Sequence, residues 1–511
     1  MKGFTGTMRL VRLNLRRDRV RTPVWLIALA LTTVATANSF LGLYADPATR
    51  QTVAETMASP AGLAMTGPAR YLDDYNFGSM MGHQMIGFMG VLVALMTILM
   101  VVRHTRTEEQ TGRAEVVRAA VVGRHAHLTA ALTSAIGVNM GLGLLIAVGL
   151  GSLGIEGIDW SGSLLYGAGH VAVGIAFAGV AAVTVQMTEH SRGASGMAIG
   201  LIGLAYILRA IGDIGEGFLS WLSPIGWAQR TYVFVDNRWW PLLLCVAFGF
   251  ALGVVGYALS TMRDLGAGLR ATRPGTPTAS PSLLRPVGFA FRLHRGMVIG
   301  FGVAMFITGT MYGSVYVDFE EIISGIDIME DALSSLGGGS LSESFASFVM
   351  IIMSVIASIY VVIAALRPKA EENGGRAEPV LSTGLSRTGW LGSHLVLLVI
   401  GGALVTAMTG LGFGLLASAT AQDPSLLPRY LLASLAYIPA VWVTGGVAVA
   451  LFGLIPRATV LAWLVPLYAF VVGYLGQILQ FPEWMTNLSP FGHIPQVPVE
   501  DLTWAPLLIL T

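Results

Sequence analysis

The feature that most restricts this sequence is a set of apolar runs too long for a soluble core. Residues 22–44, 82–102 and 391–421 each pass 18 residues with almost no charge. A helix needs about 20 such residues to cross a hydrocarbon layer of ~30 Å. In lipid, the backbone satisfies its own polar groups only as a helix or a closed barrel. Barrel strands alternate apolar and polar residues, whereas these runs are apolar all round. The expected fold is an all-α polytopic membrane protein. Composition agrees: 54% of the 511 residues are hydrophobic and 12% are charged, against ~25% charged in soluble chains.

The apolar periods predict about twelve spans. Six fall near 23–44, 83–102, 128–153, 163–187, 194–213 and 240–261. Six more fall near 296–317, 345–366, 391–417, 430–453, 458–478 and from 503 on, the last only begun at Thr511. Connecting segments sort by basic residues, which mark the cytoplasmic side. The N-terminus, 103–127, 263–295 and 367–388 are basic. Segments 45–82 and 154–162 are poor in bases, and 318–344 carries acids without a base. This alternation predicts a bacterial plasma-membrane protein with its N-terminus in the cytoplasm. Residues 7–21 read as a basic amphipathic helix on the membrane surface, and no cleavable signal peptide is evident. In the acidic outer segment, Phe319, Ile322, Ile326, Met329 and Leu333 recur at helical spacing, predicting a second surface helix.

The chain reads as an internal duplication. Residues 108–117 (EEQTGRAEVV) and 371–380 (EENGGRAEPV) agree at seven of ten positions. Ser223-Pro224-Ile-Gly226 returns as Ser489-Pro490-Phe-Gly492 at nearly the same offset. Two parallel six-helix repeats follow: residues 1–262 and 287–511, joined by a Pro- and Thr-rich cytoplasmic linker at 263–286. The repeated segment sits in the longest inner loop of each half. A short charged helix held there twice is a docking element for a cytoplasmic partner, a reading preferred here to a solvated loop. Pro379 fits the first turn of the second helix, where its missing N–H costs little.

Most catalytic chemistry is absent. Lys2 and Lys369 are the two lysines, and neither stands in a phosphate-binding G-x-x-x-x-G-K-[ST] loop. The single cysteine, Cys245, excludes an internal disulfide. A net charge of +1 offers nothing to nucleic acid. His125 and His127 make too weak a pattern for a metal site. Arg209 lies deep in a span, one turn before Asp213. A charge there is either paired structurally or turned to a cavity, where it would meet a substrate. Met85, Phe88 and Met89, with Met350, Met353 and Tyr360, form a soft apolar wall suited to varied ligands, or else ordinary packing.

The glutamate-rich segment, its copy, and the S-P-x-G before the last helix of each half resemble ABC-2 type transporter permeases of actinobacteria. More closely, the chain is similar to the fused, double-length group described as polyketide antibiotic exporters, the tetronasin type. The resemblance implies a permease subunit of an ATP-driven exporter of hydrophobic or amphipathic compounds. Two copies of a separate ATP-binding subunit would hold the ATP and Mg, and this chain would carry no cofactor of its own. Glu108, Glu109, Gly112, Arg113 and Glu115, with Glu371, Glu372, Gly375, Arg376 and Glu378, would form the coupling helices. Glu189 and Arg192 would make a smaller second contact. The competing reading is a secondary multidrug transporter driven by an ion gradient. The inner loop after the second span lacks the G-x-x-x-D-x-x-G-R-R pattern of that class. No acid stands in mid-helix to carry protons, and nothing supports a membrane enzyme.

Overall fold

The computed structural model describes residues 2–215, 217–264, 266–270, 277–317, 319, 340–475 and 482–500. Most of these residues are helical, and among them eleven helices are long and apolar enough to cross a membrane. The all-α polytopic class is borne out. The span expected from residue 503 and the surface helix expected after Phe319 lie outside the described residues. The chain falls into two compact units, Met1–Gly275 and Thr276–Thr511.

In the first unit, the surface helix α1 (Thr7–Arg17) precedes the first span, α2 (Arg21–Leu43). Two short helices follow, α3 (Pro47–Met57) and α4 (Pro60–Met65). Asp46 and Ser59 cap them by accepting from Ala48 and Gly62 N–H, and each starts on a proline. The second span, α5, runs Phe77–Gln110. It contains two π turns, Met81–Met85 and Arg103–Thr107. Then come α6 (Arg113–Arg118), α7 (Ala126–Gly151), α8 (Trp160–Met187), α9 (Ser191–Ile214), α10 (Pro224–Gln229) and α11 (Pro241–Thr261). Helix α8 is the most buried and packs on α5, α7, α9 and α11.

Lipid tails are as apolar as leucine, so helices in a membrane associate through close packing rather than the hydrophobic effect. Gly143 on α7 and Gly167 on α8 illustrate this. A Cβ on Gly167 would lie 2.2 Å from the Gly143 carbonyl oxygen. Between α5 and α7, Asn139 donates to Thr97 Oγ1 at 3.0 Å and to Ala135 O at 2.9 Å, giving a buried amide its partners.

The second unit comprises α12 (Pro286–Ser314), α13 (Leu341–Asn373), α14 (Ala377–Leu381), α15 (Arg387–Ala421), α16 (Leu426–Leu454), α17 (Leu464–Leu475) and α18 (Glu483–Leu488). Helices α12 and α15 pack along their lengths, with Gly309 and Gly313 on one against Thr409 and Phe413 on the other. The core holds Met350, Tyr360, Phe413, Tyr430 and Tyr437. Residues 436–437 interrupt the α16 span just before Pro439, and a 3-10 turn, Pro456–Trp463, leads into α17.

Candidate coupling surface

At one end of the first unit, α1, the α5–α6 turn, the α8–α9 turn and the residues after α11 come together. Glu108 and Glu109 are neighbours in sequence but face opposite partners. Glu108 forms an ion pair with Arg17 at 2.8 Å and lies 3.8 Å from Arg113. Glu109 accepts from Arg106 and from Arg263, both at 2.8 Å. Arg106 is fully buried, and its remaining donors reach Val185 O, Gly266 O and Ala267 O. Arg263 also donates to Gln186 Oε1, and Leu269 and Arg270 donate their N–H groups to Gln186 O and Met187 O. The turn is therefore tied through Glu108 to the N-terminal helix and through Glu109 to the start of the linker.

Gly112 closes the turn at φ +73°, and Gly375 closes its copy at φ +66°. This left-handed conformation costs a residue with a Cβ roughly 1–2 kcal/mol, which explains why both copies carry glycine there. The second copy repeats the ion pairs. Glu371 accepts from Arg367 at 2.9 Å and from Arg376 at 2.6 Å. Both glutamates are buried, whereas Arg113 and Arg376 are 61% and 58% exposed. Glu372 is a third exposed and stands 3.7 Å from Arg387. Pro379 occupies the first turn of α14. Glu115 is exposed in the first turn of α6, and Glu378 is exposed in that of α14.

The N-terminal helix supports this surface. Leu10 and Val11 pack on Ala126 and Ala130 of α7, with Val117 and Val122 beside them. Asp18 binds His104 and pairs with the Arg103 charge at 2.9 Å. Burial works to raise the Asp18 pKa, but the His104 hydrogen bond and the nearby arginines hold it below the usual carboxylate range. Gln110 Oε1 accepts from Ser191 N and Oγ, bringing the α8–α9 turn alongside. Glu189 lies in that turn, and Arg192 is exposed at the start of α9. Val116 is 76% exposed and Val121 is 89% exposed, two apolar side chains on a basic surface. The sequence reading passed over them. Their signal was two valines standing among charges in a segment that leaves the membrane.

The residues read as a substrate wall fall three in each unit, most of them buried. Met89, Met350 and Tyr360 are fully buried and Met353 nearly so. Tyr360 donates its hydroxyl to Leu397 O. Met85 is partly buried, and Phe88 is 52% exposed although its neighbour Met89 is buried. Arg209 is bonded within the first unit. It is fully buried at the other end of the first unit and donates to Met65 O at 2.9 Å and Leu63 O at 3.5 Å. It lies 3.5 Å from Asp213, which also accepts from Ser220 at 2.6 Å. Arg209 thus fastens the C-terminal end of α4 to α9. Among the described residues, no group of three or more His, Cys, Asp or Glu is placed to hold a metal.

The chain matches the family model described as multidrug efflux system permease Rv1217c, C-terminal domain, over residues 9–259 and 283–511. It is 40% identical over 514 residues to the multidrug efflux system permease protein Rv1217c of Mycobacterium tuberculosis (strain ATCC 25618 / H37Rv). That alignment covers 99% of this chain and 92% of the relative.

Proposed function

The chain belongs to the Rv1217c family of multidrug efflux system permeases, and from that premise we propose how its two repeated turns drive transport. It is a multi-pass membrane permease that moves hydrophobic or amphipathic compounds out of the cell as a subunit of an ABC exporter. In our reading it is of the ABC-2 kind, its N-terminus is cytoplasmic, and two copies of an ATP-binding subunit dock on it, each holding ATP and Mg. The 108–117 and 371–380 turns are the docking points.

The observation that carries this reading is the recurrence of one design in both units. A buried glutamate, a left-handed glycine and an exposed arginine build the same turn twice. The buried glutamate fixes the turn, and the arginine is left for a partner. Val116 and Val121 add apolar surface beside the first arginine, the mixture that anchors protein interfaces. Movement of a docked subunit would pass from Glu108 to α1 and from Glu109 to the α8–α9 turn and the linker.

The test is reconstitution in lipid nanodiscs of the chain alone and with its co-purified ATP-binding subunit. Hydrolysis that needs both chains and responds to a hydrophobic drug supports the reading. Absence of a complex, with transport that collapses alongside the proton gradient, would favour a secondary transporter. Val121→Asp sharpens the test. The side chain is exposed, so the fold is retained, while a charge enters the docking surface. Partner affinity is expected to fall about tenfold, in the range of an ordinary interface anchor, as read by surface plasmon resonance.

A further inference from the structure

A groove of about 660 Å³ opens between α2, α5 and α9 at the same end of the first unit, with Val138 of α7 also in its lining. Its size lies within the range of small-molecule sites. Its lining divides by depth. Arg21 begins α2, Arg103 directly follows the apolar stretch of α5, and Arg192 is the second residue of α9. Three cations from three helices therefore stand at one membrane boundary. Trp25 and Leu99 lie one turn inward from Arg21 and Arg103, and Ile199 lies two turns inward from Arg192. At 1.5 Å per residue these steps are roughly 6 and 10 Å, which carries the lining from headgroup depth into the acyl region. Leu99 and Ile199 are 40% and 42% exposed.

Charge decides what fits. Asp18 is the one acid in the lining, and it is already bound to His104 and Arg103. Arg21 and Arg192 have no hydrogen bond or ion pair among the described residues. Arg21 has a share in the Asp18 carboxylate, which Arg103 and His104 already occupy, so a neutral lipid or an apolar drug would leave Arg192 without a counter-charge at the mouth and Arg21 with a divided one. An anionic headgroup would supply one, and its acyl chain would follow Trp25, Leu99 and Ile199 inward.

We infer that this groove is a binding site for an anionic phospholipid of the adjacent leaflet, with Arg21 and Arg192 holding the phosphate. Bound there, the lipid would contact α2, α5 and α9 together, beside the Asp18 joint that fastens α1. Arg192 then serves the membrane rather than a cytoplasmic partner. Binding is read on the chain alone, so the result is separate from the docking proposal.

The experiment is native mass spectrometry of the full chain released from nanodiscs of equimolar phosphatidylglycerol and phosphatidylcholine. One retained phosphatidylglycerol, in preference to phosphatidylcholine, is expected. Retention should fall about fivefold for each of Arg21→Gln and Arg192→Gln, while Arg19→Gln, outside the lining, leaves it unchanged. Gly196→Phe supplies a second route. A Cβ at Gly196 meets nothing within 4 Å, so the ring can fill the groove and should exclude the lipid with all arginines present. Equal retention of the two lipids would overturn the assignment. So would undiminished phosphatidylglycerol in both the arginine variants and Gly196→Phe.

Discussion

Glu109 shows how a residue expected on a docking surface is used inside the protein. Its side chain is 6% exposed and lies between Arg106, fully buried, and Arg263, 9% exposed. An isolated charge in such a setting is costly, and removing one member of a buried pair typically costs about 3–5 kcal/mol because the other is left uncompensated. Glu109→Ala strands two guanidinium groups. It is expected to lower stability by about 3 kcal/mol, read as a clear drop in melting temperature in detergent. Glu372, the matching residue of the second copy, is a third exposed, with its arginine 3.7 Å away. Water screens that pair, and Glu372→Ala should change stability by less than about 1 kcal/mol. Equal losses in the two variants would contradict the contrast in burial. The sequence aligned these two glutamates correctly but could not rank them, because burial depends on Arg263 and Val185, which are distant in the chain.

Among the helices, α1 is held by contacts that respond to acid. The Asp18 pKa lies below its ordinary value of about 3.9, so folding binds fewer protons at this site than the unfolded chain does. The stabilisation is complete above about pH 5 and is lost as pH falls through the lowered pKa. Protease nicking between α1 and α2 should therefore rise below about pH 4, and Asp18→Asn should show raised, pH-independent nicking at neutral pH. A wild-type profile flat to pH 3 would count against the joint. The spans themselves were readable, because a run of 20 apolar residues leaves a helix few alternatives in lipid. The expected 163–187 and 194–213 became Trp160–Met187 and Ser191–Ile214. What apolar content cannot encode was missed: the π turns at 81–85 and 103–107, the break at 436–437, and the capped helices α3 and α4. Those depend on where single carbonyls find donors. The coupling motif was visible as a repeat, yet its cause, a left-handed glycine behind a buried glutamate, needed the backbone.

For the molecule as a whole, two units carrying the same turn need not answer a partner alike. In the first, Glu108 is held at 2.8 Å by Arg17, so Arg113, at 3.8 Å, adds little to the turn itself. In the second, Arg376 is the closer partner of Glu371, at 2.6 Å against 2.9 Å for Arg367. Arg113→Ala should therefore leave the melting temperature of the isolated chain unchanged while weakening partner binding by about 1–2 kcal/mol, roughly 5- to 30-fold. Arg376→Ala should cost stability as well, by up to about 1 kcal/mol, since the pair is partly exposed. Drug-stimulated ATPase of the reconstituted complex should fall in both variants. Only the second should also melt earlier, and the double variant should combine the losses, because the arginines serve separate turns. Wild-type hydrolysis and transport in both single variants would remove the two turns as coupling points. Equal melting losses would instead show that Arg17 does not hold the first turn independently of Arg113.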